Sequence, residues 1–322
     1  MTAIKRGNPA QAEALKLSWR SHTVSRLALG TAQLGMDYGI ANIDGKPDLD
    51  RAKSIVRAAL AEGINFFDTA QGYGASETVL GAGLAAGARA AQAVSVVTKI
   101  APDFAAADRI AGSLRESLAK VGVPRFFGVL LHGADALGHW GERFRPLFER
   151  LLADRLTDYI GVSIYTDDEM ETALGIPEID IIQLPFNVFD QRALAKNWFN
   201  RAQGAGKLLI VRSIFLQGLL LLDPKALPSH MSFARRPLDR WRRFCRSAGV
   251  SSKEACIGFV LKSADGAAVV FGAETPAQVA ETASLAKVWE KQPFSPAEWD
   301  EIGREADPRL INPSLWTARG AI

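Results

Sequence analysis

Short apolar runs rich in β-branched and aromatic residues recur along the chain. They are SRLALG near Ser25, INFFDT near Ile64, VSVVTK near Val94, FFGVLLH near Phe126, DYIGVS near Asp158, DIIQLP near Asp180, LLIVRS near Leu208 and AAVVFG near Ala267. Most are continuously apolar rather than alternating, as strands buried on both faces of a parallel sheet are. Helical patterns lie between them. Asp50 is positioned to cap RAKSIVRAALAEG, with Ile55, Ala59 and Leu60 on one face and Gly63 at its end. Ala107–Val121 carries Ile110, Leu114 and Leu118 at steps of four, before Gly122 and Pro124. Residues 145–152, 167–174, 191–204 and 251–262 also read as helices, and Thr275 can cap one that begins at Pro276. Strands alternating with helices in this way predict a closed (β/α)₈ TIM barrel, an α/β single-domain fold with its core over 25–283. An open doubly wound sheet is the alternative.

Two intervals break the repeat. The stretch from Ser213 to Ser263 is too long for one helix and its loops, and within it 213–250 reads as a long cover loop, LLLDPKALPSHMSFARRPLD, joined to a basic segment. Residues 284–322 form a C-terminal extension containing Trp289, Trp299 and Trp316.

Composition narrows the class. With 48% hydrophobic and 23% charged residues, the 322-residue chain is expected to fold around a large core without staples. Cys245 and Cys256 cannot make a disulfide framework, and no Cys/His cluster has zinc spacing. A net charge of +3 argues against a nucleic-acid partner. No apolar run is long enough to span a bilayer, and MTAIKRGNPAQAEALK lacks the apolar segment of a signal peptide, so a cytoplasmic enzyme is expected.

In a parallel barrel, chemistry collects where strands end. The polar residues there are Gly30, Thr31 and Gln33; Asp68, Thr69, Gln71 and Tyr73; Lys99; His132; Ser163; Gln183 and Asn187; Arg212 and Ser213; and Gly272, Glu274 and Thr275. Four make a chemical set. A Tyr is a poor proton donor unless tuned, a nearby ammonium favours its phenolate, a carboxylate holds that ammonium, and a His can orient a carbonyl. Tyr73, Lys99, Asp68 and His132 supply these parts from adjacent strand ends. Each alone has an ordinary structural reading, as an ion-pair partner or a satisfied core residue; the joint placement favours chemistry.

These residues resemble the aldo-keto reductase family. The likeness runs through LGTAQLG, FFDTAQGYGASETVLGAGL, VVTKI, LLHG, IGVSIY, IIQLPFN, VRSIFLQGLL and VFGAETPAQVAET, from about Leu27 to Ala283. It implies a barrel that binds NADP(H), or NAD(H), across its mouth without a Rossmann turn, and reduces a small-molecule aldehyde or ketone, including a sugar-like one. It implies Tyr73 as proton donor, Lys99 as the cation that lowers its pKa, Asp68 as the partner of Lys99, and His132 as the group that orients the carbonyl. The resemblance places Gly30 and Thr31 at the nicotinamide side, with Asp68 beside them. Ser163 and Gln183 fall at the carboxamide, although Ile164 stands where relatives usually carry Asn. Arg212 stands where many relatives carry an aromatic ring. Its planar guanidinium can stack, and its charge would disfavour the oxidised, cationic nicotinamide; a structural ion pair is the other reading. Ser213, Phe215, Gln217, Gly218 and Leu219 match the pyrophosphate segment. Gly272, Gln278, Glu281 and Thr282 match the adenosine end, where no cation for a 2′-phosphate is visible.

The basic stretch Arg235, Arg236, Arg240, Arg242, Arg243 and Arg246 reads either as a solvated helix face over Trp241 and Phe244 or as a source of one or two anion contacts. Trp19, Trp140 and Trp198 read as packing residues, and Tyr38 and Asn42 as pocket candidates. Two other functions compete: a nucleotide-binding sensor with little turnover, and a Schiff-base aldolase using Lys99.

Overall fold

A computed structural model of the chain describes residues 15–87, 94–101, 107–288, 296–303 and 307–316. Residues 1–14, read above for a targeting segment, and Trp289 lie outside the described residues. The first two strands, β1 (Lys16–Trp19) and β2 (His22–Ser25), form an antiparallel hairpin. Then come β3 (Leu27–Gly30), β4 (Phe66–Asp68), β5 (Ser95–Ile100), β6 (Phe126–Leu131), β7 (Thr157–Ser163), β8 (Ile181–Pro185), β9 (Leu208–Arg212) and β10 (Ala268–Gly272). These eight are parallel and closed, with β10 bonded to both β3 and β9. The barrel expected from the apolar runs is therefore the one observed, and the open sheet is excluded.

The apolar runs make strands because both faces are covered. One cluster of buried side chains fills the space between strands and helices, including Leu29, Phe67, Val129 and Ile182. A second occupies the barrel interior, where Phe66, Val97, Phe127 and Ile210 meet Leu17 and Val24 of the hairpin.

Several local expectations are corrected. Ser25 belongs to the hairpin rather than to the first barrel strand, because Arg20 takes a positive φ of 50° in the turn and returns the chain on itself. The helix Leu49–Ala61 is capped by Asp48, whose side chain accepts from the Arg51 N–H, and not by Asp50. The interval 191–204 breaks into Arg192–Ala195 and Trp198–Gly204 at Asn197, which adopts left-handed backbone. The cover segment is a series of short 3₁₀ turns, Leu216–Leu221, Pro224–Ala226 and Ser229–Ala234. Its last residues, 235–239, already belong to the helix Arg235–Ser247. That helix buries Leu238, Trp241 and Cys245. In the C-terminal extension, the Trp299 ring packs 5.0 Å from Phe259 and 5.6 Å from Phe244.

No helix among the described residues is long and apolar enough to cross a membrane.

Candidate active site

Register sets the site. Gly30 pairs with Asp68 across β3 and β4, Lys99 with Leu130 across β5 and β6, Ser163 with Gln183 across β7 and β8, and Gly272 with Gly30 across β10 and β3. The polar strand ends therefore gather at one rim of the barrel.

Asp68 and Lys99 form a buried ion pair. Lys99 Nζ donates to both Asp68 oxygens at 2.8 Å and to the Thr69 carbonyl at 3.0 Å, which commits all three of its protons. Lys99 is 1% exposed. Burial pulls its pKa below the usual lysine value, and the Asp68 charge opposes that shift. The Gln183 amide adds a third hydrogen bond to the carboxylate, 2.7 Å from Asp68 Oδ1.

Tyr73 stands over this pair. Its ring lies 4.9 Å from Lys99 Nζ and 5.4 Å from the His132 ring, edge to face. The segment carrying it is pressed against the loop after β3, where a Cβ on Gly35 would run into the Tyr73 carbonyl and the Ser76 N–H. Gly74 completes the turn at φ +59°, a conformation that side chains with a Cβ rarely adopt. The helix Ser76–Ala86, which the apolar pattern had not marked, follows at once.

The expected lowering of the Tyr73 pKa is corrected. Burial, and after it the Asp68 charge, holds the phenol well above its ordinary value, and Arg212 is the cation that opposes them. Tyr38 is raised as well, mainly by burial. His132 is pushed down to about 4 by burial first and Lys99 second. At neutral pH the site thus presents a protonated phenol beside a neutral imidazole.

A cavity of about 290 Å³ runs from this cluster along the ends of β3, β4, β9 and β10. Of the residues singled out from the sequence, Gly30, Thr31, Asp68, Tyr73, Arg212, Ser213, Phe215, Gln217, Gly218, Gly272 and Gln278 line it, as does Tyr38. Lys99, Ser163 and Gln183 lie buried beneath. Leu219, a residue of the cover segment itself, is fully buried and Thr282 is buried as well, so neither reaches the cavity. Asn42 is spent on its own loop, donating to the Tyr38 and Gly45 carbonyls. Glu281 pairs with Lys253. Lys253 itself lines the cavity beside Glu274 and Gln278. The adenosine-end segment lacks a cation of its own, but the start of the neighbouring helix Ser252–Ser263 brings one. No motif around Lys253 marks it; only folding places it there.

Arg212 makes no ion pair among the described residues. Its guanidinium stacks 4.2 Å over the Tyr165 ring and donates to the Ile164 carbonyl at 3.1 Å. The basic stretch is structural where its contacts are seen: Arg242 donates to the Leu222 carbonyl at 2.7 Å and to Ser252 Oγ at 2.9 Å, which ties the cover segment to its helix. Trp140 and Trp198 are buried packing residues, and Trp19 packs on Tyr159 of the barrel floor.

The cavity has the features an elongated anionic nucleotide with a carboxamide head would meet. Beneath the cavity, Gln183 Oε1 is buried with no hydrogen-bond partner among the described residues. Lys253 and Arg212 supply positive charge along the cavity.

Residues 26–304 match the model of the aldo/keto reductase family. The chain is 26% identical to a D-threo-aldose 1-dehydrogenase of Pseudomonas sp. over 88% of its own length and 96% of that protein. It is 26% identical to a 6-dehydroglucose reductase of Novosphingobium aromaticivorans, over 77% of this chain and 84% of that one. The fold matches a glycerol dehydrogenase from Gluconobacter oxydans with a TM-score of 0.69 at 22% identity, covering 93% of this chain and 98% of that one. It matches the holo form of an aldo-keto reductase from Bacillus halodurans with a TM-score of 0.71 at 22% identity, covering 91% and 96%.

Proposed function

The chain belongs to the aldo/keto reductase family, and on that footing we propose that it is an NAD(P)H-dependent oxidoreductase that reduces an aldehyde or ketone of a sugar-like compound to the alcohol, with Tyr73 as proton donor. The observation that carries this reading is the buried Asp68–Lys99 pair under the Tyr73 ring, with His132 at its edge. The names of two relatives, one an aldose dehydrogenase and the other a dehydroglucose reductase, support the substrate class.

Gly30, Thr31, Ser163, Gln183, Arg212, Ser213, Phe215, Gln217, Gly218, Gly272 and Gln278 are the residues that would hold the nucleotide. When bound, the reduced nicotinamide supplies the hydride. The protein's part is to bind, orient and protonate. His132, uncharged, donates a hydrogen bond that fixes the carbonyl oxygen next to Tyr73. The raised pKa of Tyr73 keeps its proton in place until charge develops on that oxygen. An alkoxide is a stronger base than a phenolate, so the proton then moves from Tyr73 to the product oxygen. Arg212 stabilises the phenolate left behind, in a site already polarised for it.

The aldolase reading loses support, since Lys99 is buried and its protons are all committed. The sensor reading is separated by turnover. Titrating NADPH and NADH against the intrinsic tryptophan fluorescence, then following nicotinamide oxidation with sugar aldehydes and hydroxyketones, tests the proposal. Failure of both nucleotides to bind would sink it; binding without turnover on any carbonyl would favour the sensor.

A further inference from the structure

Glu77 is a buried carboxyl group that the mechanism above does not use. It lies at the second position of the helix Ser76–Ala86, just past Tyr73, and is 4% exposed. Its Oε1 accepts from Thr98 Oγ1 at 2.9 Å and its Oε2 from Ser117 Oγ at 2.8 Å. Ser117 Oγ in turn accepts from the Gln71 amide at 3.0 Å, and Ser113 Oγ accepts from the same nitrogen at 3.2 Å. No cation pairs with Glu77 among the described residues. A carboxyl group held only by hydroxyls is costly to bury, and such networks specify one arrangement when every member is satisfied.

The three segments joined here are those that build the acid. Successive side chains of a strand face opposite ways. On β5, Lys99 therefore points inward under Tyr73 while Thr98 points outward to Glu77. Ser117 comes from the helix Ala107–Val121. Gln71 belongs to the segment that carries Tyr73, and its backbone N–H donates to the Lys99 carbonyl at 3.1 Å. A cross-brace closes the same segment, Thr69 Oγ1 lying 2.8 Å from Ser76 Oγ. The stretch from Thr69 to Ser76 is thus held at one end by β4 and at the other by Glu77.

We infer that Glu77 is a positioning residue: by binding Thr98 and Ser117 it registers the Tyr73 segment against β5 and so sets the Tyr73 hydroxyl over the Lys99–Asp68 pair. The inference rests on the proposed reductase chemistry for its kinetic consequence and on the hydrogen-bond geometry for its structural one. Proton transfer is sensitive to misplacement on the ångström scale. Loss of the carboxylate therefore slows turnover and leaves substrate capture nearly intact.

The test uses Glu77→Ala, Thr98→Val and the conservative Glu77→Gln in the full chain, at a temperature where circular dichroism shows each folded. Thr98→Val keeps the side-chain shape and removes one donor, so the question stays open to measurement if Glu77→Ala does not fold. Glu77→Ala should lower kcat by at least about tenfold and Thr98→Val by about threefold, with KM within about threefold of wild type. Glu77→Gln, which keeps both contacts with one reversed, should recover kcat to within about threefold. The second readout is independent of activity. The chain has four tyrosines, so 3-fluorotyrosine labelling gives four ¹⁹F resonances, and Tyr73→Phe assigns the one of interest. That resonance should move in Glu77→Ala and Thr98→Val and stay in place in Glu77→Gln. A Tyr73 resonance unmoved in the folded variants overturns the inference, as does equal loss in Glu77→Ala and Glu77→Gln. A resonance that moves in a protein reducing no carbonyl leaves the positioning role standing and removes the reductase reading.

Discussion

Arg212 rests its guanidinium on the ring of Tyr165, 4.2 Å from the centroid, and is anchored by the Ile164 carbonyl. A fixed positive charge thereby lines the same cavity as Tyr73 and Asp68. Such a charge favours a neutral, reduced nicotinamide over the oxidised cation. Arg212→Gln should raise affinity for the oxidised nucleotide by roughly fivefold, about 1 kcal/mol, with little change for the reduced one. Fluorescence titration of both redox forms checks this, and an equal loss for both would mean that Arg212 simply holds phosphate.

Tyr73→Phe keeps the ring and its contacts with Lys99 and His132 but removes the donated proton. Carbonyl reduction should fall by at least about a hundredfold, the low end for a positioned general acid. Nucleotide dissociation constants should stay within about twofold of wild type, because no binding group is lost. Near-normal turnover would take Tyr73 out of the mechanism.

Lys99→Met leaves Asp68 buried with the Gln183 amide and no cation. Breaking a buried pair by removing one member costs about 3–5 kcal/mol, so chemical denaturation should show a loss of that order together with a collapse of turnover. A variant that loses stability and keeps its activity per folded molecule would make Lys99 purely structural.

The fold and the polar cluster at its rim were legible because both rest on local pattern. Strands buried on two faces read as unbroken apolar runs, and their last polar residues fall at one rim whatever the loops do. Asp68, Tyr73, Lys99 and His132 needed nothing more. The helix Ser76–Ala86 was harder to see, since its apolar residues and glycines are packed on several sides and leave no stripe. Lys253 reaches the cavity from a helix whose sequence carries no sign of it. Leu219 and Thr282 carried a motif position without an exposed side chain. The direction of the Tyr73 pKa depended on its burial and on the Asp68 charge beside it, which only three-dimensional packing sets.

At the far end of the cavity, Lys253 is the cation available to a 2′-phosphate, and Glu281 holds it in an ion pair. Wild type should therefore prefer NADPH over NADH by less than about 2 kcal/mol, roughly thirtyfold. Glu281→Gln should free Lys253 and raise NADPH affinity severalfold while leaving NADH nearly unchanged. A wild-type preference near a thousandfold would point to a cation outside this pair.

His132 gives the fold a pH dependence. Its folded pKa, about 4, lies below the ordinary 6.5, so the unfolded chain takes up the proton first. Its contribution to stability is complete above about pH 6.5 and is lost as pH falls towards about 4. Thermal melting across this range should slope downward in wild type and more gently in His132→Gln. Parallel slopes would show that other groups carry the acid response.

The hairpin of β1 and β2 packs against one end of the barrel. Leu17 and Val24 pack on Phe66 and Phe127 inside the strands, which fills that end with apolar side chains. In the proposed reaction, the phenolate left after turnover would regain its proton from the mouth side, the opening that would also admit substrate and release alcohol. On the proposed reaction, reloading the acid and emptying the site would then share one doorway, so the two events would be coupled by traffic as well as by chemistry.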